Sequence, residues 1–68
     1  MELTSTQRLL LNGLDLFKVE KEAMIIILTA LQKENQMNEL MEYMAKNPEA
    51  HQEDILYKTA QIKKRDNK

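Results

Sequence analysis

The sequence predicts an all-α fold, a small bundle of four short helices at about 4-17, 20-33, 34-46 and 52-64, which we expect to be oligomeric. Its 68 residues allow one domain, 1-68. One glycine and one proline argue against collagen and against a β-sandwich or barrel with many turns. The chain has no cysteine for a disulfide, so association with another chain is the expected source of additional stability.

The first helix is expected to start near Thr4–Thr6, because any of the hydroxyls of Thr4, Ser5 and Thr6 can accept a hydrogen bond from a free backbone N–H at a helix start. A narrow polar stripe follows at helical spacing: Arg8, Asn12 and Asp15. Leucines and Phe17 cover most of the remaining circumference. Gly13 lies in this apolar arc, where it weakens the helix, admits a closely crossing helix, or ends the helix at Asn12-Gly13. We favour a continuous helix to about Phe17.

The second helix is apolar around nearly its whole circumference, because it contains the triplet Ile25-Ile26-Ile27 among other apolar residues. A helix with this pattern is typically buried on all sides. We therefore expect Glu20 to about Gln32 to be the most buried element, with Ile26, Ile27 and Leu31 nearly inaccessible. The triplet also fits a short buried strand. We reject the strand, because the chain contains no second strand-like run to pair with it.

The third helix has the clearest period, with apolar residues at i, i+3, i+4 and i+7: Met37, Leu40, Met41 and Met44. Pro48 ends it, because the residue before a proline is disfavoured in the α region. The fourth helix is expected to start near His51 or Gln52. Its predicted inner face comprises Ile55, Leu56, Thr59, Ala60 and Ile62. We expect the tail at about 65-68 to fray.

Two short patterns follow one another between Met41 and Ile62. A helix ends at Asn47-Pro48-Glu49-Ala50, and an acidic helix start follows at Glu53-Asp54-Ile55-Leu56. In this segment, about a third of the chain, the sequence is similar to short uncharacterised helical proteins of Gram-positive bacteria and their mobile elements. The resemblance implies a bacterial cytoplasmic protein and assigns no activity. The sequence departs from the pattern at His51, where we would expect serine or threonine as the helix cap.

One cluster has side chains suited to a metal or acid–base site: Glu49, His51, Glu53 and Asp54. A zinc site needs three or four converging ligands, and the chain has one histidine and no cysteine. We therefore interpret the cluster as a capping turn whose acids complement the helix dipole. The sequence contains neither a nucleophile constellation nor a glycine-rich phosphate loop. We expect no enzyme activity, no metal and no cofactor.

An excess of apolar surface on the first two helices predicts self-association. Soluble monomers rarely expose apolar patches larger than a few hundred Å², and the two remaining short helices can hardly cover this surface. We expect a homo-oligomer, with a two-fold dimer favoured, or else an unknown protein partner. The expected self-association residues are Leu9, Leu10, Leu16, Phe17, Met24, Ile25 and Leu28. On this hypothesis the chain is a non-enzymatic, self-associating interaction module.

An alternative hypothesis is a small nucleic-acid-binding regulator of the helix-turn-helix kind, built on the third and fourth helices. The segment 58-68 carries five bases and one acid, a net charge of +4. The residues expected to contact phosphates are Lys58, Lys63, Lys64 and Arg65. However, the fourth helix opens with Glu53 and Asp54, which would repel DNA at a recognition-helix start. The net charge of −1 adds no overall attraction, so we favour the interaction module and expect no nucleic acid.

The apolar segments are too short to span a membrane. The longest unbroken apolar run, Ala23 to Leu28, has six residues, whereas a spanning helix needs about 20. The first residues also lack the basic and apolar regions of a secretory signal. We therefore expect a cytoplasmic protein without membrane association.

Overall fold

Four α-helices form the fold in the computed structural model, which describes residues 3–66 and the side chains of residues 3–65. They are α1 (Ser5–Leu16), α2 (Lys21–Ala30), α3 (Glu34–Lys46) and α4 (Gln52–Asp66). The predicted all-α, four-helix architecture is confirmed, and each helix begins and ends within three residues of its predicted bounds. The predicted fraying falls partly on residues 67 and 68, which lie outside the described residues. Helix α4 itself continues to Asp66, two residues beyond its predicted end.

Helix α1 starts with a capping box. Thr4 Oγ1 accepts a hydrogen bond from the N–H of Gln7 at 3.1 Å, and Gln7 Oε1 accepts one from the N–H of Thr4 at 2.8 Å. The helix is continuous through Gly13, as predicted. A Cβ atom built on Gly13 would lie 3.1 Å from Cε of Met44 in α3. Gly13 thus faces α3 and accommodates the end of the Met44 side chain.

Helix α1 ends in a Schellman motif. The N–H of Val19 donates to the carbonyl of Leu14, and the N–H of Lys18 donates to the carbonyl of Asp15, both at 3.0 Å. Lys18 adopts the left-handed conformation, with φ of 60°. Val19 and Leu14 are both buried in the core, as the hydrophobic contact of this motif requires. The motif directs the chain from α1 into α2.

Lys18→Gly should raise the free energy of unfolding by about 0.5–1 kcal/mol, because glycine lacks the Cβ that penalises the left-handed conformation. Lys18→Ala is the matched control, since it removes the same exposed side chain but keeps the Cβ atom. We expect no gain from alanine. Urea unfolding of the two variants beside the wild type measures the difference. Equal stability of the glycine and alanine variants would contradict strain at Lys18.

The four helices pack in a ring around one apolar core. Helix α1 packs on α3, α3 on α4 and α4 on α2, and a smaller contact between α2 and α1 closes the ring. The buried core residues are Leu10, Leu14, Val19, Ala23, Ile27, Leu31, Met37, Leu40, Met44, Ile55 and Ile62. The predicted inner stripe of α3 is confirmed, with Met41 half-buried at its edge. Because each helix contacts two neighbours, each keeps one outer side.

Helix α2 differs from its predicted burial. Ile27 and Leu31 are fully buried, as expected, but Ile26 is 58% exposed, so its predicted burial is wrong. Two residues of α2 are buried, against four of α3, so the expectation that the second helix is the most buried element is also wrong. The reason is geometric. Successive residues lie about 100° apart around a helix, so three successive isoleucines cannot all face one core.

Helix α4 places three of its five predicted inner residues in the core: Ile55, Thr59 and Ile62. The hydroxyl of Thr59 donates to the carbonyl of Ile55 at 2.8 Å, which satisfies this polar group inside the core. Leu56 is half-buried and Ala60 is exposed. The predicted inner face therefore included one exposed residue, Ala60, which lies on the side of α4 that borders α2.

Candidate protein-interaction surface

Helices α2 and α4 lie side by side and run in the same direction. Glu20, the residue before α2, donates its N–H to Oε1 of Gln52, the first residue of α4, at 2.7 Å. Further along both helices, Ala30 of α2 and Ala60 of α4 line one shared groove. Both helices therefore begin at one end of the bundle and finish towards the other.

The outer side of this helix pair carries a shallow, mostly apolar groove, which we call the α2–α4 face. Its lining residues are Ile25, Ile26, Thr29, Ala30, Leu56, Thr59, Ala60 and Lys63. Ile25 is 64% exposed and Ile26 is 58% exposed. Full burial of an isoleucine contributes about 1.5–3 kcal/mol, so covering the exposed part of each would contribute about 1–2 kcal/mol. A contacting chain would gain stability at this face.

The structure divides the predicted self-association residues among three environments. Leu10 is fully buried in the core, so it does not belong to a surface that a second chain can reach in this fold. Three residues are half-buried against the core: Phe17, Met24 and Leu28. The other three are exposed: Leu9, Leu16 and Ile25. The available apolar surface is smaller than the sequence predicts.

The three exposed residues do not share one surface. Leu9 and Leu16 lie four residues before and three residues after Gly13, so both neighbour Gly13 on the same side of α1. Gly13 faces Met44 of α3, which places the exposed leucines on the α3 side of α1. Ile25 instead borders the groove with α4. The structure thus does not bring the first two helices together as the continuous surface that the sequence predicts.

Of the eight residues that line the α2–α4 face, only Ile25 was among the predicted self-association residues. The other seven include Ile26, Leu56 and Ala60. All three were expected in the core or on an inner face. On α4, Leu56 lies about 100° and Ala60 about 140° around the helix from Ile55. If the buried side of α4 is taken as the narrower sector around Ile55 and Thr59, Leu56 and Ala60 fall at the edge of the core.

The four cations of the nucleic-acid hypothesis point to different sides of α4. Lys58 Nζ lies 4.0 Å from Oε2 of Glu39 and 5.6 Å from the centre of the Tyr43 ring. Arg65 forms an ion pair with the same carboxylate of Glu39. Both cations thus face α3. Lys64 is exposed and lines a groove on α4 together with Lys58 and Arg65. Lys63 instead lines the α2–α4 face, so three of the four cations share one groove and the fourth lies apart from them.

The residues around His51 form a capping turn. The N–H of His51 donates to Oδ2 of Asp54 at 3.0 Å, and its carbonyl accepts from the N–H of Ile55 at 3.1 Å. His51 is therefore the N-cap residue of α4, and Asp54 satisfies its backbone as in half of a capping box. Within the described part of the chain, no three metal-ligating side chains form a group that could hold an ion.

No family model, no curated protein and no solved structure matches the chain. The resemblance of residues 41-62 to short Gram-positive proteins is therefore untested. Between residues 3 and 66, no helix combines the length and apolar character needed to cross a bilayer.

Proposed function

We propose that this chain is a small, non-enzymatic interaction protein of the bacterial cytoplasm that self-associates through the α2–α4 face. The observation that carries the proposal is the pair of exposed isoleucines, Ile25 and Ile26, beside the half-buried Leu56 in one groove. Exposed apolar residues that form a contiguous patch mark interaction sites, whereas single ones are ordinary on soluble proteins. A second copy covers this groove in the assembly that we propose.

The size of the face predicts a weak dimer. Helices of 10 and 15 residues lying side by side present a footprint of about 20 Å by 20 Å, or roughly 400 Å². A standard stable interface buries about 800 Å² per partner. We therefore expect an affinity in the micromolar range, with monomers at low micromolar concentration and dimers well above it.

The exposed leucines of α1 support self-association less strongly. Leu9 and Leu16 lie at the edge of the bundle that borders α3, and neither lines the α2–α4 face. The nucleic-acid hypothesis also has weaker support, because Lys58 and Arg65 are engaged with Glu39. The face between α2 and α4 is therefore our preferred contact surface.

Single-cysteine cross-linking tests the proposal without background, because the natural chain has no cysteine. Ile26→Cys places a thiol at the centre of the α2–α4 face, and Leu16→Cys places one on α1. Leu16 is 81% exposed, so its thiol would be the more accessible of the two. With a short bismaleimide we expect covalent dimers from Ile26→Cys and little product from Leu16→Cys. Equal yields, or a higher yield from Leu16→Cys, would reject the α2–α4 face as the contact surface.

A further inference from the structure

We infer that two copies meet through the α2–α4 face in an antiparallel, two-fold arrangement, with the acidic end of each face against the basic end of the other. The inference rests on the proposed self-association. To that proposal the inference adds the orientation of the second copy and the charged residues that favour this orientation. The inference is based on the order of the charges along the α2–α4 face.

The two ends of the α2–α4 face have opposite charge. At the end where both helices begin, Glu22 and Glu53 are exposed in the first turns of α2 and α4. At the end where α4 finishes, Lys63 and Lys64 are exposed in its last turn. The apolar groove around Ile26 lies between them. Along the helix direction, the face is acidic, then apolar, then basic.

Helical spacing places these charges on the same side as the apolar groove. Glu22 lies four residues before Ile26, one turn earlier on α2. Glu53 lies seven residues, two turns, before Ala60 on α4, and Lys64 lies four residues after Ala60. Each charged residue is therefore in line with the residues that form the middle of the face.

Neighbouring charges reduce this order without reversing it. Lys21 lies four residues before Ile25, so it borders the acidic end of the face, where one lysine stands beside two glutamates. Asp54 accepts the hydrogen bond from the N-cap of α4, and Arg65 pairs with Glu39 of α3. The end where the helices begin thus has two glutamates and Lys21, a net charge of −1. The end where α4 finishes has Lys63, which lines the groove, and Lys64 at its outer edge.

A two-fold axis through the middle of the face, perpendicular to both helices, reverses the helix direction in the second copy. Because this axis places α4 against α4 and α2 against α2, Glu53 of each copy then meets the lysines of the other, and Glu22 lies one helix spacing, about 10 Å, to the side of them. Each of these contacts occurs twice. A parallel arrangement would place glutamates on glutamates and lysines on lysines. A contact between identical surfaces needs this self-complementary order, whereas a contact with an unrelated protein does not. The charge order therefore favours a second copy as the partner.

Charge reversal tests the geometry. One variant carries Glu22→Lys and Glu53→Lys, and the other carries Lys63→Glu and Lys64→Glu. Each alone should raise the dissociation constant of the dimer by about tenfold or more, because attraction becomes repulsion at both ends. Their equimolar mixture should form a heterodimer, since the first variant is positive at both ends and the second is negative at both ends. Sedimentation velocity at low salt measures the species formed.

The control variant combines Glu42→Lys with Glu49→Lys, which makes the same change in net charge as Glu22→Lys with Glu53→Lys, on exposed residues that do not line the groove. It should leave the dissociation constant within about twofold of the wild type. Circular dichroism follows folding, and heterodimer formation in the mixture would show that both reversed variants remain competent to fold.

The possible outcomes separate the two proposals. If the wild type dimerises and either the reversed variants dimerise equally well or their mixture forms no heterodimer, the antiparallel geometry is overturned while self-association stands. If the wild type stays monomeric at every concentration, the proposed self-association fails and this inference fails with it. Weakened homodimers together with a restored heterodimer would support both.

Discussion

Ile27→Ala should lower the free energy of unfolding by about 2–5 kcal/mol, the largest stability loss that we expect from one substitution. Ile27 is fully buried and belongs to the single core cluster of the bundle. Truncation there removes buried methyl and methylene groups and leaves a cavity that the neighbouring helices fill only in part. The core of a chain this short rarely supplies more than about 3–5 kcal/mol, so the variant should be close to unfolded.

Ile25→Ala is the matched control for Ile27→Ala. It removes the same atoms from the same helix, but Ile25 is 64% exposed in the single chain. At low micromolar concentration, where we expect monomers, it should lower the free energy of unfolding by less than about 1 kcal/mol. Urea unfolding of both variants gives the comparison. Similar losses from the two substitutions would contradict the orientation of α2 in this fold.

Ile26→Glu should abolish self-association while leaving the monomer folded. Ile26 lines the α2–α4 face, so the introduced carboxylates of the two copies would both be placed in the proposed apolar interface. An unpaired buried charge is costly enough to remove an interface of micromolar affinity. Because Ile26 is 58% exposed in the single chain, the fold itself should tolerate the change.

Leu16→Glu distinguishes the α2–α4 face from the surface that the sequence predicts on the first two helices. Leu16 was expected at the self-association surface, but in the fold it is 81% exposed on α1 and lies outside the α2–α4 face. We expect Leu16→Glu to dimerise like the wild type in sedimentation velocity. If Leu16→Glu is monomeric and Ile26→Glu is dimeric, the interface lies on α1 and not on the α2–α4 face.

The helix bounds could be predicted from the sequence because local signals set them. Thr4 and Gln7 form the capping box that opens α1, and Pro48 follows Asn47, the C-cap residue of α3. The period of Met37, Leu40 and Met44 identifies the buried stripe of α3 without knowledge of its neighbours. Each of these signals depends on residues within a few positions of one another in the chain.

The candidate surface could not be predicted, because it depends on which helices become neighbours. An isoleucine triplet covers about 200° of a helix, and only the position of the other helices decides which isoleucine is buried. The pairing of α2 with α4 leaves Ile26 and Ala60 at a groove, and the placement of α1 against α3 separates Leu16 from Ile25. These are long-range properties, and neither periodicity nor capping signals report on them.

Sedimentation equilibrium of the wild-type chain, from low micromolar concentration to about 1 mM, tests the central claim most directly. The mass should rise from that of a single chain, 8.0 kDa, towards twice that value, with a dissociation constant in the micromolar range. Ile26→Glu in the same experiment should stay at the single-chain mass throughout. A folded wild-type chain that remains at 8.0 kDa at every concentration would contradict self-association through the α2–α4 face.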